Sequence, residues 1–66
     1  MKETMMAAEA SVRETVRLLE DLAQEARATE SQHADAIEVL TQMAEALLVA
    51  TQNLAQDVSA ETVVAK

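Results

Sequence analysis

The chain of 66 residues has no cysteine, glycine, proline, phenylalanine, tyrosine or tryptophan. Without cysteine there can be neither a disulfide framework nor a thiolate metal site, and the redox compartment is left open. Without glycine and proline the usual turn residues are missing, which argues against folds built from β-hairpins and many short strands. Long apolar runs are absent too. The longest comparable stretch, Ala46 to Ala50 (ALLVA), falls far short of the roughly 18 consecutive apolar residues of a membrane span. The opening MKETMMAAEAS carries a lysine, an early glutamate and no leucine-rich segment. It does not read as a signal peptide, so a cytoplasmic location is expected.

Positive charge is also scarce. Five Lys and Arg stand against twelve Asp and Glu, a net charge of -7, and no basic residue occurs from Thr29 to Ala65. Such a surface repels phosphate, so nucleic acid and anionic lipid are not expected partners. A basic protein partner is compatible with it. The plainer role of an acidic face is to keep a small protein dissolved.

What the chain does contain is helix-forming: Ala, Leu, Glu, Gln, Met and Arg dominate, and each has high intrinsic helix propensity. The expected fold class is all-α, as a single domain spanning 1–66. Apolar residues recur at alternating steps of four and three: Met5, Val12, Val16, Leu19, Ala23 and Ala26, then Ile37, Leu40, Ala44, Leu47, Thr51, Leu54 and Val58. This is a heptad stripe. Leu22 and Met43 widen it on one flank and Leu48 on the other. A stripe of that width suits a multi-helix bundle better than a two-stranded coiled coil.

Between Leu22 and Ile37 the strong apolar residues vanish, and Thr29-Glu30-Ser31-Gln32 has the form of a capping box. The expectation is therefore a helical hairpin: helix 1 over about 3–28, a turn at about 29–31, helix 2 over about 32–58 and a frayed tail at 59–66. The alternative is one continuous helix in a coiled-coil assembly, since the heptad phase passes through the break unshifted and no glycine marks a helix end. In either version the stripe needs more cover than one small chain supplies. A homo-oligomeric bundle is expected. Its self-association core is assigned to Val12, Val16, Leu19, Leu22, Ile37, Leu40, Met43, Leu47, Leu54 and Val58.

One segment departs from this plan. From Ala46 to Gln56 (ALLVATQNLAQ) eleven residues carry no charge, and a helix without charge all round is normally covered all round. Gln42, Ala46, Val49, Asn53 and Gln56, on the face opposite Leu40, form a candidate second interface; the plainer reading is a solvated surface.

Chemistry is thinly supported. There is a single histidine and no glycine-rich phosphate loop, and no pocket-forming loops that would hold a catalytic triad rigid. Glu30-Ser31-Gln32-His33 reads E-x-x-H, the spacing that aims a carboxylate and an imidazole from one helix face in di-iron bundles. The set lacks its further inward glutamates, so the ordinary reading is a polar patch at a helix start. Met1, Met5 and Met6 could form a soft docking surface, but Met more often fills gaps in a core. The function expected from the sequence is a non-enzymatic protein–protein interaction or assembly module without cofactors. Such a module self-associates through the stripe and presents an acidic surface to a protein partner. A metal-binding helical bundle using Glu30 and His33 is the alternative.

Overall fold

The computed structural model describes the backbone of residues 1–64 and the side chains of residues 1–60. It is a helical hairpin: α1 (Lys2–Ala28) and α2 (Ala34–Val64) lie antiparallel across a five-residue connection, residues 29–33. The Cα trace measures 55 × 15 × 11 Å, a long, flat strip. Both helices are longer than the sequence pattern marks out at their outer ends. Where a fraying tail is expected from residue 59, α2 continues to Val64, because neither glycine nor proline is present to stop it.

The break between the helices is built differently from the expected capping box. Thr29 does not open α2; it closes α1, its hydroxyl donating to the carbonyls of Glu25 (3.0 Å) and Ala26 (3.3 Å). Glu30 follows with φ 54°, in the left-handed region. Its N–H then reaches the Arg27 carbonyl (3.1 Å), and the Ser31 N–H reaches that of Ala26 (2.8 Å). These two bonds make a Schellman motif, formed here with a glutamate where glycine is the usual occupant. The Ser31 hydroxyl accepts the His33 N–H (3.1 Å), and α2 begins only after these residues are used, at Ala34 rather than at 32.

The seam between the helices is thin and made of small side chains. Val16, Ala23, Ala26 and Val58 are buried, together with Thr41 and Thr51, and among the described residues no large side chain is fully buried. Ala23 and Ala26 let the helices approach closely. The two threonines satisfy their hydroxyls within α2, Thr41 on the Ile37 carbonyl (2.8 Å) and Thr51 on the Leu47 carbonyl (2.7 Å). Thr41 also lies 3.4 Å from the Leu19 carbonyl of α1. That contact makes the packed face of α2 the row containing Ile37, Thr41, Ala44, Leu48, Thr51, Ala55 and Val58, each buried or half-buried.

Candidate interaction surfaces

Choosing that row for the seam has a direct consequence for the leucines. At 3.6 residues per turn, Leu40, Met43, Leu47 and Leu54 lie roughly a quarter turn around α2 from the seam. Leu22 and Leu18 are displaced from the α1 seam in the same rotational sense. In an antiparallel pair the displaced faces meet on one side, so all six belong to one broad flank of the strip. They are 45–64% exposed. Of the residues expected in a self-association core, the hairpin itself buries Val16 and Val58 and half-buries Val12, Leu19 and Ile37. Leu22, Leu40, Met43, Leu47 and Leu54 it leaves uncovered.

The opposite flank is polar. A groove between the helices is lined there by Glu20, Gln24, Arg27, Glu38, Gln42 and Glu45. A second, farther from the turn, is lined by Glu9, Gln52, Gln56 and Ser59. Arg27 and Glu38 form an ion pair between the helices. Glu20 and Glu45 face each other across the groove, and the carboxyl of Glu20 is held above its ordinary value because, once protonated, it donates a hydrogen bond to Glu45. Among the described residues the other ion pairs run along α1: Arg13–Glu9 (2.9 Å), Arg17–Glu14 (2.5 Å) and Arg17–Asp21 (3.3 Å). The Arg17 guanidinium lowers the Glu14 carboxyl below its usual value by hydrogen bonding and charge. Exposed pairs of this kind are screened by water and contribute little, so they decorate the hairpin and do not hold it together.

Gln42, Ala46, Val49, Asn53 and Gln56 are all exposed. Gln42 and Gln56 lie in the polar grooves, and Val49, at 57% exposure, belongs to the same side of α2. The candidate second interface is therefore a surface distinct from the leucine flank.

Glu30 and His33 both sit in the connection and are exposed. The E-x-x-H reading requires a shared helix face, and the left-handed backbone at Glu30 removes it. No group of three or more His, Cys, Asp or Glu is placed to hold a metal ion among the described residues. None of the described helices is long and apolar enough to cross a membrane. Met1 and Met6 are exposed while Met5 is half-buried.

The hairpin also exposes more surface than its mass requires. Its accessible area is 5082 Å² for 7.1 kDa, whereas a compact monomer of that mass has about 4,100 Å². Comparison with known protein families, curated proteins and solved structures found no match.

Proposed function

We propose that this chain is a non-enzymatic assembly module that self-associates through its leucine flank and turns its acidic flank outward toward a protein partner. The observation carrying this reading is the segregation of the two flanks. Leu18, Leu22, Leu40, Met43, Leu47 and Leu54 are exposed on one side of the strip, while Glu20, Arg27, Glu38 and Glu45 occupy the other. Scattered exposed leucines are ordinary on a monomer, but a contiguous apolar face is not. Two further facts support it. The excess surface of roughly 1,000 Å² over a compact monomer is the amount a partner would remove. One broad face of the 55 × 15 Å strip also has close to the ~800 Å² per side of a standard interface.

Measuring mass in solution across a wide concentration range tests this. The expected result is a species of twice the 7.1 kDa chain mass that dissociates on dilution. A chain that stays monomeric and fully helical at millimolar concentration contradicts the reading.

A further inference from the structure

Resting on self-association through the leucine flank, we infer that the occupant of that flank is a second copy of this chain. The copy lies antiparallel, α2 against α2, with Leu47 beside the two-fold axis and the turns at opposite ends of a four-helix bundle.

Three observations lead there. The first is the spacing of the exposed leucines of α2. Leu40, Leu47 and Leu54 are separated by seven residues each, so the row is symmetric about Leu47. An antiparallel copy sets Leu40 over Leu54 and Leu47 over itself, the self-complementary pattern an isologous two-fold contact requires. Met43 then lies within one residue of the level of Ala50 of the second copy, a long side chain beside a small one, which lets the faces interdigitate.

The second is charge. From Ala34 to Ser59, α2 carries Asp35, Glu38, Glu45 and Asp57 and no Lys or Arg, so α2 beside α2 is tolerable only where these carboxylates are kept apart. Glu38 and Glu45 point into the polar groove on the far flank. Asp57, nearer the end of α2, comes level with the first turn of the second copy's α2, where the positive end of the helix dipole favours an anion and offsets the Asp35 carboxylate of that turn.

The third is what the competing arrangement does to the leucines. Stacking the hairpins with both turns at one end places α1 over α2. The Thr41–Leu19 contact (3.4 Å) fixes which residues of the two helices are level, and in that stacking Leu47 would lie over the Ser11 and Thr15 level of α1 and Leu54 over the Thr4 and Ala8 level. Apolar surface gains most when it is buried against apolar surface, and only α2 on α2 does this along the whole row.

The two arrangements differ most at the turns. The chain has no cysteine of its own, so a spin label on Gln32→Cys, exposed in the connection and away from both flanks, reads the geometry in the intact protein. With Leu47 on the axis, the fifteen residues between positions 32 and 47, counted in both chains, put the labels roughly 45 Å apart at 1.5 Å per residue. Turns at one end would bring them within about 20 Å, two helix diameters. Leu47→Cys adds a second readout, because only near the axis do two copies come within the 4.4–6.8 Å Cα separation of a disulfide. A dimer with a long label distance that is covalently linked through Leu47→Cys under mild oxidation supports the inference. A dimer with a short label distance overturns this arrangement and leaves self-association standing. A chain that remains a monomer overturns both.

Discussion

Replacing Glu30 by glycine should stabilise the protein, and the sign of the effect is the informative part. Glu30 is the residue after the end of α1 and sits at φ 54°, a conformation that costs an L-residue about 1–2 kcal/mol through the contact between its Cβ and the backbone. Glycine has no Cβ and removes that cost. Against this, glycine loosens the unfolded chain by roughly 0.4–1 kcal/mol. The net gain per chain is about 0.5–1 kcal/mol, or a rise of several degrees in Tm for a domain of this size. Removing the Glu30 carboxylate from the negative end of α1 contributes to the same sign, so Glu30→Ala separates the two causes: it deletes the charge and keeps the Cβ. Thermal melts by circular dichroism at fixed protein concentration should rank glycine above alanine, with alanine near or slightly above the native residue. Were the chain one uninterrupted helix through this segment, glycine would instead cost about 1 kcal/mol relative to alanine. A lower melting temperature for Glu30→Gly than for Glu30→Ala would refute the hairpin turn described here.

Other outcomes follow from the two flanks and the seam. Leu47→Ala should leave helix content at high concentration nearly intact while weakening association at least tenfold. About half of this leucine remains to be covered in each of two chains, and complete burial of a leucine is worth roughly 1.5–3 kcal/mol. Val49→Glu, on the other flank, should change stability by less than about 0.5 kcal/mol and leave the self-associated mass untouched; loss of self-association in that variant would place the contact on the wrong flank. Ala23→Leu should destabilise by about 1–3 kcal/mol because the seam has no room for a longer side chain, and a neutral result by denaturant titration would show that the helices are not closely packed there. The pH dependence has a definite direction. The Glu20 carboxyl is raised by the neighbouring Glu45, so the folded chain binds that proton more tightly than the unfolded one. Stability should therefore increase as pH falls from 7 through the raised Glu20 value toward the ordinary 4.5. Below that, the lowered Glu14 carboxyl is forced to protonate and acts in the opposite sense. Glu20→Gln should be more stable than the native chain at pH 7 and flatter between pH 7 and 5; equal slopes for the two proteins would remove this pair as the cause.

Much of the architecture could be read from the residues because backbone preference and apolar spacing point the same way. The chain consists of helix formers, and the disappearance of Val, Leu and Ile between Leu22 and Ile37 marks where the two helices part. The turn itself was harder to read. A Thr-x-x-Gln pattern fits the start of a helix as well as a threonine fits its end, and only the backbone at Glu30 decides that Thr29 belongs to α1. The orientation of α2 was hidden for a different reason. A heptad stripe gives the largest side chains the most weight, which centres it on Leu40, Leu47 and Leu54. Helices that approach closely prefer small residues at the contact, and the hairpin seam runs through Thr41, Ala44, Thr51 and Ala55. The wide band was two adjacent faces, one closed by the hairpin and one left open. Leu48 on its edge, half-buried in the seam, was the available sign that the band should be divided there.

The thinness of that seam bears on how the chain would behave as its abundance changes. With no large side chain fully buried among the described residues, little apolar surface is withdrawn from water until the leucine flank is covered; if a second copy covers it, as proposed, folded lifetime would depend on encounters between chains. Under that proposal newly made copies at low abundance would spend more time open and be the ones a protease reaches first, whereas copies above the dissociation threshold would protect one another. Turnover would then fall as the pool fills, making survival of each molecule a cooperative property of the population.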